Sequence, residues 1–130
     1  MSVEQTDLYK KLKQAVDAEQ YQEVLKLNDQ FWQGRKEEDS FYSLRGWALV
    51  GIESYEEALS CFANAMFLAP EVRIHQLDYS AVLGRLGRYE EALSSLNELI
   101  AQDSKDYSAL SQRAGALLKL ERYQESLTDI

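Results

Sequence analysis

A five-residue pattern returns along the chain every 34 residues. It reads Tyr, any residue, Glu, a small or β-branched residue, Leu, and its copies begin at Tyr21, Tyr55, Tyr89 and Tyr123. No insertion interrupts the three intervals, so each is one copy of the same supersecondary unit. A unit that short cannot bury an apolar face alone, and neighbours must stack. The 130 residues therefore divide into units at about 5–38, 39–72, 73–106 and 107–130, the first degenerate and the last incomplete.

Apolar spacing identifies the second half of each unit. Tyr55, Leu59, Phe62 and Met66 are four, three and four apart, which puts them on one helical stripe, and Tyr89, Leu93, Leu96 and Ile100 repeat the arrangement. The segment before each Tyr is rich in Ala, Leu, Arg and Gln, which favour helix. Breaks fall inside units at 51–54, Gly87-Arg88 and Glu121-Arg122, and between them at Gly34, Pro70 and Asp103-Ser104. The spacing predicts helices over 3–17, 20–33, 40–51, 55–68, 73–86, 89–102 and 107–119, with an eighth starting near Tyr123. No stretch alternates at period two for long enough to make a strand, so the expected fold is all-α.

With these residues in place the chain resembles the tetratricopeptide repeat family over essentially its whole length. The second unit carries the resemblance most clearly, through Tyr42, Gly46, Leu49, Tyr55, Ala58, Phe62, Ala65 and Pro70. The third keeps Leu83, Gly87, Tyr89, Ala92 and Leu96 but has Ser80 where the family favours Gly and Ser104 where it favours Pro. In the first, Val24, Asn28 and Phe31 occupy the small, aromatic and small positions. The resemblance implies a right-handed superhelical solenoid of antiparallel helix pairs, in which Gly46 and Ala58 allow two helix axes to approach closely.

It also implies a concave groove lined by the first helix of each unit. The corresponding positions are Tyr9, Lys13 and Val16; Ser43, Trp47 and Val50; Ile74, Leu77, Ala81 and Arg85; and Ser108, Ser111, Gly115 and Leu118. Trp47, Ile74 and Leu77 are expected to form an exposed apolar patch, with packing of Trp47 against a neighbouring helix as the alternative. One subgroup of the family grips the acidic C-terminal tails of heat-shock chaperones with paired Lys, Asn and Arg side chains. The matching places here hold Tyr9, Lys13, Leu44, Ile74 and Asp78, or one unit on, Ser43, Trp47, Asp78, Ser108 and Gln112. Neither set supplies the cations, so that ligand is excluded from these repeats.

Composition narrows the function further. Twenty-two acidic residues against 14 basic ones give a formal charge of −8, the wrong sign for a protein that holds nucleic acid through its phosphates. Asp39, Glu53, Glu56, Glu57 and Glu71 face only Arg45 in the second unit, which reads as a solvated acidic face or a surface that steers a basic partner. No apolar run approaches the length of a membrane span and the polar start has no signal-peptide core. The single cysteine, Cys61, permits no internal disulfide and suits a reducing, cytoplasmic setting. His75 has no nucleophile or orienting partner in its pattern, there is no phosphate-binding Gly loop, and one His with one Cys makes no metal site. Catalysis, cofactor and metal are therefore not expected.

The expected function is a non-catalytic protein–protein interaction module. It would bind an extended or helical, partly apolar segment of a protein partner within a larger assembly. Ile130 stands where Phe62 and Leu96 stand in their units, so the last helix is expected to lack its final turn and the chain to be the N-terminal part of a longer protein. Two alternatives follow from that end: a scaffold that self-associates through its terminal repeats, and the regulatory part of a longer enzyme.

Overall fold

The structure, a computed structural model, describes residues 2–35 and 37–120. The described residues form seven α-helices: α1 Val3–Asp17, α2 Tyr21–Phe31, α3 Asp39–Gly51, α4 Tyr55–Leu68, α5 Arg73–Arg85, α6 Tyr89–Gln102 and α7 Tyr107–Lys119. No strand occurs among the described residues. The helix expected near Tyr123 and the shortened end at Ile130 lie outside them. The chain forms two compact units, Met1–Pro70 and Glu71–Ile130, and the boundary falls in the turn between α4 and α5.

The period is written into the backbone as well as the side chains. Glu19 (φ 54°), Glu53 (φ 62°) and Gly87 (φ 75°) hold the same place in successive repeats, and each adopts the left-handed conformation that ends a helix and turns the chain back. The next amide closes each turn on the helix it follows: Gln20 N donates to Ala15 O at 2.9 Å, Ser54 N to Leu49 O at 2.8 Å and Arg88 N to Leu83 O at 2.9 Å. This is the Schellman pattern, three times over. Only Gly87 takes that conformation without a Cβ penalty.

In the first unit Leu12, Ala15, Val24, Leu27, Phe31 and Ala48 form one buried cluster from α1, α2 and α3. Asn28 is fully buried beside it and its Nδ2 donates to Phe41 O at 2.9 Å, which ties α2 to the first turn of α3. The degenerate first repeat thus packs its substituted positions inward. α3 lies on α4 where Gly46 meets Phe62: a Cβ at Gly46 would come within 2.7 Å of the Phe62 ring. Gly51 is constrained in the same way by the Tyr21 ring, which a Cβ there would overlap. Cys61 is buried on α4, as expected of a small apolar side chain, and Glu56 and Glu57 sit in the first turn of that helix, where the helix dipole favours negative charge.

In the second unit Leu77, Leu96, Leu99 and Ala109 form one cluster and Leu93, Ala116 and Leu117 another. Ser80, in a place where the family favours Gly, is buried with its hydroxyl donating to Gln76 O at 2.9 Å and lying 2.8 Å from Ser95 Oγ. Arg73 holds the turn that lacks the family's Pro. Its guanidinium donates to Leu99 O and Gln102 Oε1 at 3.0 Å and to Asp106 Oδ2 at 2.7 Å. Asp106 in turn caps α7 by accepting from Ala109 N at 3.1 Å. One side chain at the start of α5 therefore fixes the end of α6 and the start of α7.

Candidate functional site

Two of the groove positions turn out to be packing positions. Leu77 is only 8% exposed and belongs to the core of the second unit, because α6 and α7 close over the α5 face that carries it. Trp47 is half-buried against the core of the first unit, its ring 5.1 Å from that of Tyr21 in an edge-on contact. Ile74 is exposed at 53%. The expected patch of three exposed apolar side chains is thus corrected by the burial of Leu77. Tyr9, Lys13, Ala81, Arg85 and Leu118 are exposed, while Val16, Ser43 and Val50 are half-buried.

The second unit contains a hollow of about 300 Å³ between α5 and α7. Ser80, Ala81 and Gly84 of α5 form one wall, and Gln112, Gly115 and Lys119 of α7 the other. The gap is deep enough that α6 is its floor, through Tyr89, Ala92 and Leu96. Small residues on both walls keep the helices from filling it. Ser80 and Gln112 supply oriented polar groups: the Ser80 hydroxyl is held by Gln76 O and Ser95 Oγ, and Gln112 Nε2 donates to Leu77 O at 3.4 Å, while Gln112 Oε1 is buried and has no hydrogen-bond partner. Lys119 is the charged lining residue, and Arg85 follows Gly84 in sequence at the exposed end of α5. Of the sequence-predicted positions, Ala81 and Gly115 line this hollow. Ser80, Gly84 and Gln112 also line it; the sequence signal for the first two is a pair of small side chains four residues apart, and Gln112 carries no such signal.

The titratable groups of this unit are arranged for structure. Hydrogen bonds from Arg73 and from the amide of Ala109 hold the Asp106 carboxyl below the usual carboxylate range. Arg88 does the same for Glu91 through two hydrogen bonds of 2.9 and 2.8 Å. Burial pushes the Asp78 carboxyl up, with His75 opposing it. His75 is itself buried, at 4% exposure. Among the described residues no group of three or more His, Cys, Asp or Glu side chains could hold a metal ion, and no helix is long and apolar enough to cross a membrane.

Seven helices paired through repeated tight turns give an all-α helical-repeat fold of the tetratricopeptide type, and solved structures share it. The chain superposes on MamA 41-end from Desulfovibrio magneticus RS-1 with a TM-score of 0.87 at 19% identity, covering 99% of this chain and 73% of that one. It superposes on the Arabidopsis OM64 TPR domain with a TM-score of 0.75 at 14% identity, covering 86% of this chain and 93% of the domain. In sequence it is similar to the signal recognition particle subunit SRP72 of Dictyostelium discoideum, 24% identical over 128 residues. That match takes in 98% of this chain but only 18% of the relative's length. No protein-family profile matches the chain.

Proposed function

We propose that the chain is a non-catalytic protein–protein interaction module that holds an extended or helical, partly apolar segment of a partner within a larger assembly, in the cytoplasm. The observation that carries the reading is the open hollow between α5 and α7, with Ala92 and Leu96 in its floor and the polar side chains of Ser80, Gln112 and Lys119 on its walls. Ligand sites on proteins have this make-up and begin at about this size. The likeness to tetratricopeptide folds supports an interaction module in general, and the SRP72 relative bears the name of a particle's subunit.

The exposed face of the second unit should be needed for binding. Leu77→Ala and Trp47→Ala are unsuited to testing this, because both would open a core. The informative change is Ala81→Arg with Leu118→Glu, at two exposed positions. Affinity capture from lysate of the source cells should yield a defined partner with the wild-type chain and about tenfold less with the variant, at unchanged helicity. Equal capture by both would defeat the reading. Self-association is the second reading, favoured by Phe67, which stands 86% exposed near the end of α4. Light scattering that gives a stable oligomer, lost in Phe67→Ser, would support it instead.

A further inference from the structure

The fold accounts for four glycines and leaves two. Gly34 and Gly87 have positive φ, and Gly46 and Gly51 lie beneath aromatic rings. Gly84 and Gly115 have neither reason: both are helical, neither has positive φ, and a Cβ on either would meet nothing within 4 Å. Glycine in a helix costs about 0.5–1 kcal/mol relative to alanine. Both residues line the same hollow.

The repeat period says what belongs there. Two periods earlier in the chain, Gly115 corresponds to Trp47, Gly84 to Val16, Gln112 to Leu44 and Tyr89 to Tyr21. In the first unit Trp47, Val16, Leu44 and Tyr21 all pack against the buried cluster, and the Trp47 ring stands edge-on to Tyr21 at 5.1 Å. The first compact unit thus fills its own inter-helix space with an indole. The second unit keeps the tyrosine, has Ala92 and Leu96 in the floor where the first has Val24 and Asn28, removes the indole and the valine, and puts a polar group where the first has leucine.

We propose that the hollow receives a bulky aromatic side chain, tryptophan foremost, from a segment of a partner protein. This rests on the interaction-module reading and specifies its ligand. The incoming ring takes the place that Trp47 takes in the first unit, edge-on to Tyr89. The Gln112 side chain stands on the hollow's wall and sets an amide beside the incoming ring. Lys119, with Arg85 nearby and no carboxylate among the described lining residues, favours an acidic residue next to the aromatic one.

The test is selection of randomised dodecapeptides displayed on phage against the full chain. Enriched sequences should share one Trp, Phe or Tyr with an Asp or Glu within two positions. Replacing that aromatic by Ala in a synthetic, fluorescein-labelled copy should weaken binding by about tenfold or more. Gly115→Trp, which refills the hollow from within, should weaken it equally while raising the thermal midpoint, and Gly115→Leu serves as the second blocking variant. Lys119→Glu should remove the preference for an acidic neighbour. No enrichment, enrichment without an aromatic residue, or binding that survives both Gly115 variants overturns the proposal. A cellular partner that is lost in Ala81→Arg/Leu118→Glu but retained by Gly115→Trp would leave the module reading in place and remove this one.

Discussion

Glu19 and Glu53 adopt left-handed backbone conformations that the equivalent Gly87 takes freely, so two of three matched turns carry strain. Replacing either glutamate by glycine should raise stability by about 0.5–1 kcal/mol, and Gly87→Ala should lower it by a similar amount, read from urea denaturation. The helical glycines give an opposite pair. Gly46→Ala forces a Cβ to within 2.7 Å of the Phe62 ring and should cost about 1–3 kcal/mol, as overpacking does. Gly115→Ala meets open space and should stabilise by up to about 1 kcal/mol. If Gly115→Ala were as damaging as Gly46→Ala, the hollow would not be open.

At the scale of elements, α5, α6 and α7 are joined by the hydrogen bonds of Arg73. Arg73→Met should leave the Asp106 cap without its cation and lower hydrogen-exchange protection over the first turn of α7, with the first unit unaffected. The pH dependence has a definite sign. Asp106 titrates below its ordinary value in the folded chain, so its contribution is present above the usual carboxylate range and is lost as pH falls through the folded value. Asp106→Asn, which keeps a capping oxygen but loses the charge facing Arg73, should therefore flatten the acid limb of a stability–pH curve and lower its plateau.

The helices themselves were legible, because a repeat with no insertions presents the same apolar stripe and the same breaks again and again. The α2 end was the exception: the expected helix to residue 33 stops at Phe31, where Gly34 at φ 78° turns the chain and Arg35 donates to Phe31 O at 2.9 Å while its guanidinium lies over the Phe31 and Trp32 rings. Exposure was harder to read. Leu77 shares a helix face with Ile74 and Ala81, yet one is buried and two are not, since burial depends on which neighbouring helix closes over each turn. Trp47 fits either a groove or a packing role on its spacing alone, and in the fold its ring packs edge-on against Tyr21.

Over the whole molecule, each compact unit has its own buried clusters and its own version of one inter-helix space. The first unit fills that space with Trp47 and the second leaves it open at Gly84 and Gly115. Identical periodicity with different occupancy separates what the fold requires from what it leaves for something else. A double substitution that copies the first unit into the second, Gly84→Val with Gly115→Trp, should raise the thermal midpoint and abolish partner binding together. The most direct measurement is an amide chemical-shift map of the full chain titrated with its selected aromatic peptide. Shifts centred on Ala81, Gly84, Gln112 and Gly115, absent in the double variant, are the predicted result; shifts centred elsewhere, or unchanged in that variant, would contradict the account.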